Sequence, residues 1–349
     1  MANRKDKRLT ELTEPTRSLS EERAFRRQRV EANEARRQLE AAIKQIDHLE
    51  SQVDTLLALD DRKQVAAWEK PKRVDRGEAA AVLLFSDWHV GQVVLPSEVN
   101  NLNRWGPKYV EPARKQMLNR IVSTLLPRYR LGAKIDECVV WCGGDFVEGM
   151  HRDEQKVRNA MTPVREAQFA EEVLEQTIRD LLAACDFKRI TIVTSTGNHD
   201  RTTEKTWASA RNDTSFATLI YDHLRKIFRN ESRIQWQAEE GEMSYLRVYD
   251  WQCRFLHGDS IRYRGGNGGL SLPAKICIDK LNQSKPADFT FFGDKHTFLW
   301  NPQFNFVGNG ALCGAAPYGL HYGRTEPCQA FAVIDRHRGL TDATKIFCR

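Results

Sequence analysis

The sequence predicts an α/β fold preceded by a long N-terminal helix. Near-continuous apolar runs of strand length, "AAVLLFS" (80–86), "ECVVWC" (137–142) and "RITIVTS" (189–195), suit strands buried on both faces. Helical patterns fill 111–130 and 163–185 between them, the alternation expected of α/β architecture. Residues 1–78 differ: they hold almost no glycine and carry a helical stripe of their own.

That stripe runs Phe25, Ala32, Ala35, Leu39, Ala42, Ile46, Leu49, Val53, Leu56. The steps are sums of three and four, a heptad seam interrupted only by Gln28. "SLSEE" (18–22) offers a serine cap and first-turn acids. One helix is expected from about Ser20 to about Asp60. So narrow a stripe on so long a helix leaves little else to bury it, so a coiled coil joining copies of the chain, or docking a partner, is the expectation. The segment spans 1–68, and "WEKPKRVDRG" (68–77) reads as a basic linker, placed at 69–78.

From 79 onward the chain reads as one domain. Later strand candidates are 245–250, 252–257, 288–293, 304–308 and 329–335, with helices at 213–229 and 273–284. These strands lie closer together and look antiparallel, giving either a mixed sheet or two sheets.

Composition excludes several classes. Hydrophobic residues are 41% and charged residues 29%, ordinary for a globular chain. No apolar run approaches the roughly 20 residues of a membrane span, and "MANRKDKRLTELTEP" holds no signal-peptide core. The eight cysteines form no CxxC pair, so a disulfide scaffold or structural zinc module is not indicated, and a cytoplasmic setting with reduced thiols is expected. The net charge of +6 fits a polyanionic partner without showing one.

Ligands in α/β sheets sit beyond the C-terminal ends of strands. There the sequence collects Asp87 and His89, then Asp145 behind Gly143-Gly144, then Asn198, His199 and Asp200. Later strands end in His257 ("LHGD") and in Asp294 and His296 ("GDKH"). Each piece alone is weak, since a lone DxH or a buried histidine is commonplace. Together they mix carboxylate oxygen with imidazole nitrogen, which suits Mn²⁺, Fe or Zn²⁺ at a paired site. No Ser or Cys nucleophile motif and no GxxxxGK[ST] loop competes with this reading.

The ordered set "SDWH", "GGDFVEG", "GNHD", "HGD" and "GDKH" resembles the calcineurin-like metallophosphoesterases over about residues 80–300. "SDWHVGQ" is most similar to the opening motif of SbcD-type DNA repair nucleases, and the tail, "NGALCGAAPYG" onward, resembles uncharacterised phage and prophage members. The resemblance implies a two-sheet α-β-β-α sandwich as catalytic domain, 79–349, with two divalent ions, Mn²⁺ first and Mg²⁺, Fe or Zn²⁺ as alternatives. It implies Asp87, His89 and His296 as first-metal ligands, Asp145 as the bridge, and Asn198 and His257 as second-metal ligands. His199 matches the histidine over the leaving group, with Asp200 the acid beside it. Asp294 departs from the pattern, standing where the family has a histidine, and Glu148 stands where it often has aspartate.

The metals do not specify the ester. A nucleic-acid phosphodiesterase is expected from the first motif, the basic balance, and Arg201, Lys205, Arg211, Arg262, Arg264 and Lys295 near the motifs. Arg201, Arg262, Arg264 and Lys295 are the substrate-binding candidates. Trp88 and Trp207 are candidates for base stacking, with core packing as the plainer role. A small-molecule or phosphoprotein phosphatase is the alternative. A non-catalytic scaffold is the second, and Asp294 is its main support. The glycine-rich "YRGGNGGLSLP" (263–273) reads either as a flexible surface loop or, from its place beside the His257 motif, as a loop that gates the site.

Overall fold

The computed structural model describes residues 18–60, 77–237, 241–263, 269–317, 319–320 and 326–349. The chain divides into two units, Met1–Arg73 and Val74–Arg349. In the first, α1 (Leu19–Asp60) is one continuous helix, with Ser18 bonding back to Glu21 at its start. Along its seam, Phe25, Leu39, Ile46, Leu49 and Val53 are exposed.

The second unit builds two sheets. The first runs β11-β10-β1-β2-β3-β4, formed by β1 (Gly77–Phe85), β2 (Ala133–Cys142), β3 (Arg189–Thr194), β4 (Ile234–Gln237), β10 (Cys328–Asp335) and β11 (Gly339–Phe347). β1 to β4 are parallel, and the C-terminal hairpin β10–β11 closes the edge antiparallel to β1. The second runs β5-β6-β7-β9-β8, formed by β5 (Met243–Val248), β6 (Trp251–Leu256), β7 (Phe289–Phe292), β8 (Leu299–Asn301) and β9 (Phe306–Gly308).

This sheet corrects the antiparallel reading of the later strands. β6, β7 and β9 are parallel, and only the edge pairs β5–β6 and β8–β9 are antiparallel. Between β6 and β7 the crossover is α7 (Ser271–Ser284), long enough to return the chain to the same end of the sheet; between β7 and β9 the return is made through the edge strand β8.

Three apolar layers hold the unit together. Between the sheets pack Val82, Leu84, Trp141 and Val193 from one side and Phe255, Phe289, Phe291 and Val307 from the other. Phe255 and Phe291 stack with centroids 4.9 Å apart. Truncating either to alanine is expected to cost about 3–5 kcal/mol. The outer face of the first sheet is covered by α2 (Pro107–Arg120), α5 (Pro163–Ala184) and α6 (Phe216–Ile227). The outer face of the second is covered by α7 through Ala274 and Ile278. The order is therefore helix, sheet, sheet, helix, the α-β-β-α sandwich.

The helix expected over 111–130 is interrupted. A π-helical turn at Ile121–Leu125 separates α2 from α3 (Leu126–Arg130). Pro127 has no N–H to continue the ladder, and the wider turn accommodates its absence. A short helix, α4 (Asp153–Arg158), was not signalled by the periodicity.

Candidate metal centre

The parallel strands of both sheets end on one side of the sandwich, and the candidate residues follow those ends. Beyond β1 and β2 the two loops continue the ladder: Asp87 N–H donates to Gly144 O, His89 N–H to Asp145 O and Val90 N–H to Phe146 O. This fixes Asp87 and His89 against Asp145. Beyond β3, His199 N–H donates to Asp145 Oδ1 at 2.7 Å. A Cβ on Gly197 would sit 2.0 Å from that same oxygen, so only glycine lets the third loop approach so closely.

Backbone strain concentrates here. Ten non-glycine residues among those described have positive φ, and Asp87, His89, Asp145, Asp294 and His296 are five of them, at 43–60°. Left-handed backbone is uncommon for side-chain-bearing residues and clusters at functional sites. It turns these five side chains into one crevice.

The side chains form two donor sets that share one carboxylate. Ligating atoms of Asp87, His89 and Asp145 lie within 4.8 Å of one another, as do those of Asp145, His257 and Asp294. His296 joins the first set, its Nε2 3.4 Å from Asp87 Oδ1 and 3.2 Å from His89 Nε2. Asn198 joins the second, its Oδ1 3.1 Å from His257 Nε2. Asp145 is thus the common member, and Asp294 does face the centre.

Hydrogen bonds define which atoms are available. His257 Nδ1–H donates to Gly143 O at 2.7 Å, which leaves Nε2 facing Asp145 Oδ2 at 3.1 Å, Asn198 Oδ1 at 3.1 Å and Asp294 Oδ1 at 3.6 Å. In a neutral imidazole, that is a lone pair set among three oxygens. His89 Nδ1–H donates to Glu148 Oε2 at 2.8 Å, so its Nε2 meets His296 Nε2 as a second lone pair. Both arrangements call for positive charge between acceptors, as a proton or a metal ion. The 3.2 Å between the two imidazole nitrogens is close to the ~3.3 Å edge spanned by two nitrogens each ~2.05 Å from a tetrahedral zinc ion. The donor set therefore fits divalent metal.

The titration directions agree. Burial alone would lower His257, but the Asp145 carboxylate and then Asp294 hold it well above its ordinary range. Burial likewise opposes, and Asp87 outweighs it, in raising His296. Burial would raise Asp145 and Asp294, yet His257 in each case brings the carboxyl down.

His199 sits at the cleft with its Nδ1 2.9 Å from Glu148 O and 3.6 Å from Glu148 Oε2. Gln155 Nε2 lies 3.1 Å from the same Nδ1, so Nδ1 is engaged from the inner side, donating to the Glu148 carbonyl or accepting from the Gln155 amide, which leaves Nε2 for the cleft. The carboxylate beside the ring is Glu148. This corrects the role expected of Asp200, which is fully buried and turned to the backbone. Its oxygens accept N–H groups of Asp145 at 2.7 Å, Gly197 at 2.8 Å and Val147 at 3.4 Å. Asp200 is a positioning residue.

The substrate-binding candidates are not gathered as a group. Lys295 lines the cleft, but its ammonium pairs with Asp294 Oδ2 at 2.5 Å. Arg201 is on the third loop, bonded to the carbonyls of Asn198 and Glu204 and not part of the cleft lining, and Arg262 is exposed outside that lining. Arg264 lies outside the described residues, as do residues 265–268 of the glycine-rich loop. Arg211 grips Asp259 with two bonds of 3.0 Å. Trp88 is wholly buried against Phe146, whereas Trp207 is exposed.

The structure adds residues that no motif marked. Glu166 of α5 is buried and accepts the N–H groups of Glu148 and Gly149 and the amide of Asn159. Burial pushes its carboxyl up to about 7. Gln155 of α4 donates to Glu148 O and accepts from the amides of His151 and Arg152. Arg152 and Arg158 also line the cleft, which has a volume of about 820 Å³. Helix periodicity could have found Glu166 as an acid on an otherwise apolar face.

No protein-family model and no curated protein matches the sequence. Among solved structures, Vps29 complexed with Zn²⁺ from Entamoeba histolytica aligns at 10% identity and TM-score 0.31, over 77% of this chain and 99% of that one. A predicted phosphoesterase from Streptococcus pneumoniae aligns at 10% identity and TM-score 0.30, over 77% of this chain and 98% of that one. A hypothetical protein from Pyrococcus horikoshii aligns at 12% identity and TM-score 0.38, over 77% and 88%. These values are low, and the functional reading rests on the centre's own geometry.

Proposed function

We propose that this protein is a divalent-metal-dependent phosphoesterase of the calcineurin-like type, acting on phosphodiesters of nucleic acid. One observation carries the reading: two donor sets share Asp145 at the strand ends of two packed sheets. Asp87, His89, His296 and Asp145 would hold one ion, and Asp145, Asn198, His257 and Asp294 the other. Bound there, divalent ions such as Mn²⁺ would supply polarisation of the phosphate ester and acidification of a water.

The chain's own residues supply the rest. Glu148 orients His89 through its carboxylate and His199 through its carbonyl. Burial opposes the His199 imidazolium, but Asp145 and Glu148 outweigh it and raise its pKa. In that form Nε2–H can donate to the departing ester oxygen. Asp200 and Glu166 hold the loops that carry these groups.

The nucleic-acid assignment is supported by the basic balance and by a cleft of about 820 Å³, ample for a nucleotide beside the centre. A phosphatase for monoesters is the competing reading. Cleavage of single- and double-stranded DNA with Mn²⁺, then with chelator, tests the proposal. Diester and monoester dye substrates separate the two enzyme readings. Inactivity on all of them, in folded metal-loaded protein, would favour a scaffold.

A second copy of the chain is the partner we propose for α1, through its exposed heptad seam. Eight free thiols favour a reducing compartment, and we place the protein in the cytoplasm. No helix among the described residues is long and apolar enough to cross a membrane.

A further inference from the structure

We infer that Cys313 is a thiolate ligand of the first metal position, an inference that rests on the metal-centre reading above. Sγ of Cys313 and a ring nitrogen each from His89 and His296 lie within 4.8 Å of one another. Cys313 is wholly buried, on the loop that follows β9. It falls outside the Asp/His/Asn motifs, so nothing in them marks it.

The loop is fastened so that this thiol stays at the centre. Leu312 N–H donates to Asp87 O at 3.1 Å, tying the neighbouring residue to a ligand-bearing loop. Buried Asn103 donates to Cys313 O and to Ala315 O, both at 2.7 Å, clamping the backbone at Cys313 and just after it. The thiol's own contact is a weak one, to Gly314 O at 3.7 Å. A sulfhydryl held this firmly with so little to bond has coordination capacity to spare. The second observation is the imidazole pair itself. His89 is almost wholly buried, and its Nε2 faces His296 Nε2 as an acceptor facing an acceptor. Two nitrogen lone pairs and a sulfur around one point are a soft donor set.

Coordination forms a metal–sulfur bond and breaks the S–H bond, and the proton leaves to solvent. The consequence is selectivity. Thiolate and imidazole favour Zn²⁺, Co²⁺ and Fe²⁺ over Mn²⁺ and Mg²⁺. The first position would then take a softer ion than the second, where Asp145, Asn198 and Asp294 offer oxygen around one histidine.

The test is Co²⁺ titration of the metal-depleted full chain, wild type and Cys313→Ser, followed by absorption. The expected result is visible d–d bands in both, with a near-ultraviolet sulfur-to-cobalt band in the wild type alone. In competition, Zn²⁺ affinity should fall by at least about 10–100-fold in the variant, the range produced by removing even a group that only supports a ligand. Mn²⁺ affinity should change much less. Visible bands in the wild type without the sulfur band would overturn the inference and leave the metal centre standing. A sulfur band that survives Cys313→Ser would do the same, by assigning it to another cysteine. No visible bands in the wild type would overturn the metal centre and this inference together. The wild-type spectrum decides the matter even where the variant folds poorly.

Discussion

Asp200 holds Asp145 by the backbone: its Oδ2 accepts the Asp145 N–H at 2.7 Å while also accepting that of Gly197 at 2.8 Å. One buried carboxylate thus pins the second and third loops together at the residue common to both donor sets. Asp200→Ala would leave those amides without an acceptor. We expect it to lower stability by roughly 2–4 kcal/mol and to weaken metal binding by roughly 10–100-fold. Denaturant unfolding and metal titration check this. Unchanged stability would mean that other groups hold the loops.

His199→Ala should retain both ions and slow turnover by roughly 10²–10⁴-fold, the usual worth of a positioned acid. The warrant is that Nδ1 is taken up by Glu148 O and Gln155 Nε2, leaving Nε2 to act in the cleft. Metal content and turnover are measured on the same preparation. Metal lost in step with rate would make His199 a ligand instead.

Glu166 gives a stability signature in pH. Its folded pKa is about 7 against an ordinary 4.5, with burial the cause. The folded state therefore keeps a proton that the unfolded chain has released. The associated stability is fully present below about pH 4.5 and is lost as pH rises through about 7, on the order of 3 kcal/mol at most. Glu166→Gln should be less stable, since an amide N–H₂ would meet backbone donors, but its stability should fall less steeply over that window. Equal slopes in the two proteins would show that Glu166 is ionised throughout.

A chain starting near Glu78 should form a smaller assembly than the full length, because the seam of α1 is exposed in the single chain. Light scattering at matched concentration measures both. Equal assembly numbers would place the interface in the second unit.

Much of this molecule was legible in the sequence, for physical reasons. The strands buried on both faces are almost purely apolar, and the ligand-type residues follow them at once, so β1, β2 and β3 announced both their ends and the centre. The direction of β6, β7 and β9 was not legible, because a short apolar strand reads the same whichever way its neighbour runs. β4, β8 and β11 lie at sheet edges, and their partial burial blurs the pattern. Asp200 looked catalytic because sequence adjacency to His199 carries no information about which way a side chain turns. Cys313 and Glu166 reach the centre's surroundings only through the fold, one from beyond β9 and one from α5.

The central claim is that one carboxylate, Asp145, serves two metal positions and the hydrolysis that depends on them. The direct measurement is metal stoichiometry of wild type and Asp145→Asn by elemental analysis, paired with phosphodiester hydrolysis of the same samples under Mn²⁺ and under chelator. We predict two ions and metal-dependent hydrolysis in the wild type, with both ions and activity lost or nearly so in the variant. Two full equivalents of metal in Asp145→Asn, or wild-type hydrolysis undiminished by the chelator, would contradict the account.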